Sequence, residues 1–233
     1  MNKIDVCLSP ELLHLYNLEE SIIVVVDIFR ATSCMTTAFA HGVKEILPVA
    51  TISECESYKE KGYLLTAERE GKTPEGFDFD NSPFSYMTDK VKDAKICVTT
   101  TNGTLAITKS KNAKEVLIGS FLNIDFLSNY LKTKQNDILI LCAGWKGKPN
   151  IEDTLFAGAL IDKMDLETKD DSALMAHRQY LEAKSDTFKY VQKSAHVSRL
   201  KNIGIEKDIA FCMTMNKYNV LPILKGNILV NIQ

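Results

Sequence analysis

Long apolar runs are missing from this chain. The longest, at residues 22–26 and 138–141, fall far short of the ~20 residues a membrane helix requires, so no membrane span is expected. The opening Met1-Asn-Lys-Ile-Asp-Val has neither the charged start nor the apolar stretch of a signal peptide. The turn signal Ser9-Pro10 also arrives too early for one, which predicts a cytoplasmic protein. Neither sign of charge dominates: 28 Lys+Arg stand against 30 Asp+Glu, a formal net charge of -2. The broad positive field of a nucleic-acid or anionic-membrane binder is therefore absent, and a small molecule is the expected partner. No C-x-x-C pair occurs among Cys7, Cys34, Cys55, Cys97, Cys142 and Cys212, which sit mostly in or beside apolar segments, as reduced buried thiols do. No Ser/Gly/Pro-rich linker, internal repeat or low-complexity tract divides the chain. One compact unit over residues 1–233 is expected, in which the stretch at about 150–202 could form a helical lobe. A chain of 233 residues buries roughly 70% of the surface its unfolded form exposes, so any metal would serve chemistry rather than hold the core. A homo-oligomeric assembly stays open.

Several catalytic signatures are also missing. No cysteine is followed by five residues and an arginine, which removes the usual cysteine-phosphatase loop, and no G-x-x-x-x-G-K-[ST] is present. The near match Gly71-Lys-Thr-Pro-Glu-Gly76 runs on into Phe77. Asp78-Phe-Asp-Asn-Ser82 imitates an aspartyl-phosphatase motif but lacks the buried strand that must precede it. His14, His41, His177 and His196 show no H-x-H or H-x-x-x-H spacing, which argues against zinc. His196 and Arg199 share a helix face and become candidates for binding an acidic substrate.

What the chain has is alternation. Short β-branched runs at residues 22–27, 43–50, 63–65, 95–100, 115–119 and 137–143 alternate with helical periods at 32–40, 53–61, 103–110 and 121–132. That is the pattern of an α/β fold, with strands joined by crossover helices. The run at 22–27 is continuously apolar, so it reads as a strand buried on both faces. From Asn150 the pattern turns helical, with Leu155, Phe156, Ala159, Leu160 and Met164 in one stripe and further helices to about residue 202. Strands are expected again at 209–212 and 220–224, the latter at a sheet edge because Pro222 cannot donate to a ladder.

Three buried strands run directly into polar turns that open helices: Asp27-Ile-Phe-Arg-Ala-Thr32, Thr99-Thr-Thr-Asn-Gly-Thr104 and Cys142-Ala-Gly-Trp-Lys-Gly147. Each alone is an ordinary helix cap. Together they suggest an anion site beyond the carboxyl ends of the strands, where helix N-termini point N–H groups into the crevice. Asp27 and Arg30 add a carboxylate and a guanidinium to one such turn, and structural ion pairing is the competing explanation. The segment 68–83 is long, charged and without hydrophobic period, yet holds Phe77 and Phe79, so it reads either as an ordered active-site cover or as a solvated loop. Asn150-Ile-Glu-Asp153 is a capped helix start whose carboxylates would meet the basic loop before it. Carboxylates without a histidine cluster suit Mg²⁺ better than zinc.

The ordered segments Val24-Val-Val-Asp-Ile-Phe-Arg-Ala-Thr32, Glu68-Arg-Glu-Gly with Pro74-Glu-Gly-Phe-Asp78 and Asn81-Ser-Pro83, Thr101-Asn-Gly-Thr104, and Cys142-Ala-Gly to Glu152-Asp-Thr-Leu-Phe-Ala-Gly158 resemble the 2-phosphosulfolactate phosphatase family. The resemblance runs from about residue 22 to 160, with a looser echo near His196 and residues 208–222. It implies a three-layer α/β/α fold with a mainly parallel or mixed sheet. It also implies a Mg²⁺-dependent phosphatase that converts 2-phospho-3-sulfolactate to 3-sulfolactate and phosphate, a step in coenzyme M biosynthesis. The matching positions include Asp27, Arg30 and Glu68 as catalytic candidates, with Asp27, Glu68, Glu152 and Asp153 as candidate Mg²⁺ ligands. Thr32, Arg69, Asn81, Asn102, Gly103, Thr104 and Gly144, together with Lys146 from the same loop, are the candidate phosphate- and substrate-binding residues.

On this reading the N–H groups of Asn102, Gly103 and Thr104 cradle the phosphate with Arg30. Arg69 and Lys146 hold the substrate's carboxylate or sulfonate, and Asp27 is either a nucleophile or a metal ligand only. Trp145 and Lys146 stand where the family turn is small and glycine-rich, so Trp145 could narrow the pocket or stack on a substrate. Glu70, placed where the family has glycine, could repel a second anionic group. A related phosphorylated 2-hydroxy acid is an alternative substrate. A nucleotide-dependent phosphoryl transferase and a non-catalytic anion-binding module are alternative functions on the same scaffold.

Overall fold

The computed structural model describes residues 3–69, 73–166, 168, 170–201 and 205–232; Glu70 lies outside them. The strands are β1 (Ile4–Cys7), β2 (Ile22–Val26), β3 (Glu45–Pro48), β4 (Leu64–Ala67), β5 (Lys95–Thr99), β6 (Glu115–Gly119), β7 (Ile138–Cys142), β8 (Leu221–Lys225) and β9 (Ile228–Ile232). The helices are α1 (Ala31–Ala40), α2 (Ile52–Glu56), α3 (Gly103–Lys109), α4 (Ile124–Lys132), α5 (Ile151–Met164), α6 (Asp171–Ala183), α7 (Thr187–Val191), α8 (Ala195–Lys201) and α9 (Glu206–Cys212). The strands make one nine-stranded mixed sheet in the order β1-β7-β2-β6-β8-β9-β3-β5-β4.

Helices cover both faces, which gives three layers. β2 shows why: its five residues are all buried, and alternate side chains enter opposite cores. Ile22, Val24 and Val26 pack with Leu127 of α4, Phe156 and Leu160 of α5 and Ala176 of α6. Ile23 and Val25 pack with Ala31, Met35 and Ala38 of α1 and Ile107 of α3. On the first face α5 and α6 touch at Gly158, where a Cβ would stand 2.0 Å from the Ala176 carbonyl oxygen. A side chain there would separate the two helices.

The ladder contains two parallel blocks, β1-β7-β2-β6 and β3-β5-β4, running in opposite senses. The antiparallel β8–β9 hairpin joins them through the register pairs Leu117↔Ile223 and Ile46↔Leu229. Flat, this sheet would hold β2 and β5 roughly 24 Å apart, five ladder spacings. Yet a Cβ on Gly103, four residues beyond β5, would lie 2.9 Å from the Asp27 carboxylate, one residue beyond β2. A flat sheet could not make that contact, so the two blocks fold toward each other and the turn after β5 meets the turn after β2. α1 and α3 share one core with strands of both blocks, Val25 from one and Val98 from the other.

Several expectations are corrected. Residues 209–212 are not a strand but lie in α9. Ile209 and Cys212, three apart, are buried on one helix face, and Glu206 and Asp208 sit in the first turn, where a helix favours carboxylates. β8 is not an edge strand. Its meeting with β6 is anchored on one register pair, so the ladder tolerates Pro222 without an N–H. The helix expected at 53–61 divides into α2 and a 3-10 turn at Lys59–Lys61, closed by Gly62 at φ 80°. β1 and β9 were not anticipated. Each is short, and β1 carries Asp5 in its middle.

Candidate active site

The carboxyl ends of β2, β4, β5 and β7 surround a pocket of about 280 Å³. Asp27, Phe29 and Arg30 reach it from the turn after β2, Glu68 from the end of β4, and Asn81 from the loop that follows. Thr101 and Asn102 come from the turn after β5, Trp145 and Lys146 from the turn after β7, and His196, Arg199 and Leu200 from α8.

Two threonine latches shape the turns. The Thr32 hydroxyl donates to the Asp27 carbonyl and accepts from the Asp27 N–H, both at 3.0 Å. After β5 the Thr104 hydroxyl donates to the Thr100 carbonyl at 2.9 Å and accepts from its N–H at 3.2 Å. Thr32 and Thr104 are thus buried behind the wall, not in the pocket, and the Thr104 N–H, expected to cradle phosphate, donates to the Thr100 hydroxyl instead. Gly103 is buried against Ala31 and Asp27, where a Cβ would stand 2.6 Å from the Ala31 Cβ. It permits the approach of the two turns.

Asp153 sews two other turns together. Its carboxylate accepts from the Ile28 N–H at 2.8 Å, the Gly144 N–H at 3.0 Å and the Asn150 side chain at 2.9 Å, fixing the segments after β2 and β7 to each other. Asn150 also caps α5 by accepting the Asp153 N–H. Gly144 takes φ 60°, and a Cβ there would meet the Lys148 carbonyl oxygen at 2.4 Å. Beyond it, paired bonds between Trp145 and Lys148 close the turn, and the Lys146 N–H donates to the Asn102 side chain at 3.3 Å. Gly144 and Asp153 build the wall; neither lines the pocket.

Glu152 is fully buried and takes no place in the pocket lining. One carboxylate oxygen accepts from His196 Nδ1 at 2.5 Å and the other from the Ser194 hydroxyl at 3.2 Å. Ser194 in turn accepts the His196 N–H at 3.0 Å at the start of α8. Phe29 packs edge-on to the imidazole, ring centroids 6.1 Å apart. Arg30, nearly buried, pairs with Asp208 of α9, and the Ser82 hydroxyl donates to the other oxygen of Asp208 at 3.1 Å. The Arg199 guanidinium lies 3.7 Å from the centre of the Trp145 ring, so the indole stacks on a protein cation.

Arg69 turns away. It donates to the Glu68 and Ala50 carbonyls and the Thr99 hydroxyl, and borders a separate depression beside Leu105 and Thr108. Within the segment 68–83 the Asp78 carboxylate accepts the Leu65 N–H and pairs with Lys90, and Phe79 is buried on Tyr86. It gives the pocket Glu68 and Asn81.

Electrostatics single out Asp27. Burial pushes its carboxyl up to about 6; the nearby Glu68 and Glu152 charges push the same way, while His196 and the Ala31 N–H pull it down. Burial, with Asp27 and Glu152 close by, also pushes the Asp153 carboxyl up. Among the described residues no group of three or more His, Cys, Asp or Glu is arranged to hold a metal ion. Of the four carboxylates expected as ligands, Asp27 and Glu68 face the pocket. The oxygens of Glu152 and Asp153 serve His196, Ser194 and the turns.

The structure therefore brings Asp27, Arg30, Glu68, Asn81, Asn102 and Lys146 together with His196 and Arg199, and leaves Thr32, Arg69, Gly103, Thr104, Gly144, Glu152 and Asp153 outside the cavity. Sequence reasoning missed Asp208 as the partner of Arg30, and Ser194. A signal for Ser194 existed in its position two residues before His196, where serine caps a helix.

A family model for 2-phosphosulpholactate phosphatase matches residues 7–227. The chain belongs to that family. The 2-phosphosulpholactate phosphatases are phosphoric monoester hydrolases, and the similarity extends to named members. A probable 2-phosphosulfolactate phosphatase of Caldanaerobacter subterraneus is 37% identical over 220 residues, 91% of either chain. One of Thermotoga petrophila is 38% identical over 208 residues, covering 89% of this chain and 90% of that one. One of Clostridium novyi is 36% identical over 227 residues, covering 94% and 96%. Among the described residues no helix is long and apolar enough to cross a membrane.

Proposed function

We propose that this chain hydrolyses 2-phospho-3-sulfolactate, or a closely related phosphorylated 2-hydroxy acid, to the free hydroxy acid and phosphate with Mg²⁺ as cofactor. The observation that carries the reading is the convergence of Asp27 and Glu68 with Arg30, Lys146, His196 and Arg199 around one small cavity. Such a substrate carries a phosphate, a carboxylate and a sulfonate, and needs cations at both ends.

The donor set fits a hard cation. Mg²⁺ keeps several waters and is held through one or two carboxylates plus substrate phosphate, so Asp27 and Glu68 suffice without a closed cage. A cation between them would also relieve the repulsion that helps push the Asp27 carboxyl up. When bound, the ion supplies charge neutralisation on the phosphoryl oxygens. Arg30, held by Asp208, offers its guanidinium to the same oxygens. Of the cradle expected after β5, Asn102 remains at the cavity.

At the other end, Arg199 replaces Arg69 as the clamp. Stacking on Trp145 restrains the guanidinium plane and leaves its N–H edge for a carboxylate or sulfonate, with Lys146 adjacent. Asp27, buried at a strand end, is placed either to attack phosphorus or to hold the metal.

The test is phosphate release by purified protein from 2-phospho-3-sulfolactate, phospholactate and phosphoglycolate, with Mg²⁺ and after chelation. Mg²⁺-dependent release that favours the sulfonate is expected. No release from any of the three by folded, metal-loaded protein would overturn the assignment.

A further inference from the structure

Phosphate-ester hydrolysis at a secondary alcohol leaves an alkoxide, a strongly basic leaving group that requires a proton. Among the described pocket residues, Arg30, Arg199 and Lys146 hold the substrate's anionic groups in the proposed function, and Asp27 and Glu68 face a cationic partner. His196 is different. Its Nδ1 donates to the buried Glu152 carboxylate at 2.5 Å, Phe29 packs against one side of the ring, and Ser194 fixes both the carboxylate and the start of α8. With Nδ1 engaged behind the wall, Nε2 is the ring nitrogen left to the cavity that His196 lines.

We infer that His196 is the general acid of the reaction and that Glu152 is its positioning residue rather than a metal ligand. This rests on the phosphatase reading above. In the step, the bond between phosphorus and the alkyl oxygen breaks and its electron pair stays on that oxygen. The Nε2 proton passes to it, which releases the alcohol and leaves a neutral imidazole. A water oxygen forms the new bond to phosphorus, directly or after transfer through Asp27, and the proton that water sheds restores His196 through solvent. Glu152 keeps Nδ1 protonated throughout, so the ring can lose only the Nε2 proton. The charged and titratable groups around the ring are Glu152 of α5, Asp27 and Arg30 of the turn after β2, Glu68 beyond β4, Lys146 beyond β7 and Arg199 of its own helix. A purely structural pair would tie α5 to α8 equally well, but would not require the imidazole to line the cavity.

The experiment compares wild type with His196→Asn, His196→Gln and Glu152→Gln on 2-phospho-3-sulfolactate, reading kcat, KM and the ¹⁸O isotope effect at the bridging oxygen. General acids contribute roughly 10²–10⁴-fold, so both His196 variants should lose that much in kcat with KM little changed. Glu152→Gln, which can still accept from Nδ1, should lose less. In all three the bridging-oxygen isotope effect should rise, because the leaving oxygen departs without its proton. A misfolded variant cannot imitate that rise, since the effect reports only turning-over enzyme. Retention of kcat within about tenfold in both His196 variants, or loss with an unchanged isotope effect, would overturn the inference while leaving the phosphatase assignment intact. Failure of wild type to release phosphate would instead overturn the assignment itself.

Discussion

Replacing Asp27 by asparagine should abolish turnover and at the same time make the protein more stable. Burial, reinforced by the Glu68 and Glu152 charges, raises the folded-state carboxyl to about 6 from an ordinary 3.8, so the folded chain binds the proton more tightly than the unfolded chain does. Its contribution is therefore full below about pH 4 and is lost as pH rises toward 6; above that, the ionised carboxylate is a constant burden. That difference corresponds to roughly 3 kcal/mol at neutral pH. Asparagine keeps the size and an oxygen for the Ala31 N–H but carries no charge, so Asp27→Asn should recover much of that energy. For a chain of this length each kcal/mol moves Tm by roughly 2–4 °C, giving a gain of several degrees at pH 7.5. The assay is thermal melting of both proteins from pH 8 to pH 4.5 in the presence of a chelator, so that bound metal does not offset the repulsion. The gap should be widest above pH 7 and close toward pH 4.5. An Asp27→Asn protein no more stable than wild type at pH 7.5, or a gap that ignores pH, would refute the reasoning.

Gly103→Ala should lower activity about 100-fold and stability by roughly 1–3 kcal/mol, because its Cβ, 2.6 Å from the Ala31 Cβ and 2.9 Å from the Asp27 carboxylate, forces the two turns apart. Steady-state kinetics and urea melts check both numbers, and wild-type values for either would mean that the turns are not held in contact. Arg199→Ala should raise KM for a sulfonate-bearing ester more than tenfold, whereas Arg69→Ala, whose guanidinium is engaged by Glu68, Ala50 and Thr99, should leave KM nearly unchanged. The opposite ranking would return the substrate clamp to Arg69.

The layers of the fold were legible because period and burial agree: the all-apolar β2 could only be a strand covered on both sides, and the strand-end turns fell where polarity switched. The opposite senses of the two blocks were not. They depend on a hairpin whose links to its neighbours are single register pairs, and sequence does not display so small a contact. Residues 209–212 were misread since four apolar-rich residues fit a strand or one helical turn, and only the buried partners of Ile209 and Cys212 decide. At the site, the charged residues of the turns were found by their position after strands. Direction was not found: nothing in Glu68-Arg69 says that one side chain enters the cavity and its neighbour leaves it.

The same distinction separates the acids. Asp27, Glu152 and Asp153 lie close enough to influence one another, and desolvation makes each seek a neutraliser. Asp153 has three N–H donors, and its raised affinity for a proton supplies a further means of losing charge. Glu152 has an imidazole and a hydroxyl. Asp27 has the Ala31 N–H and the field of His196, and of the three it alone lines the cavity, beside Glu68. A cation or an electrophilic phosphorus brought by the substrate would meet Asp27 and not the two acids at the start of α5, and on this ground the proposed function gives the chemistry to Asp27 and leaves those two to scaffolding.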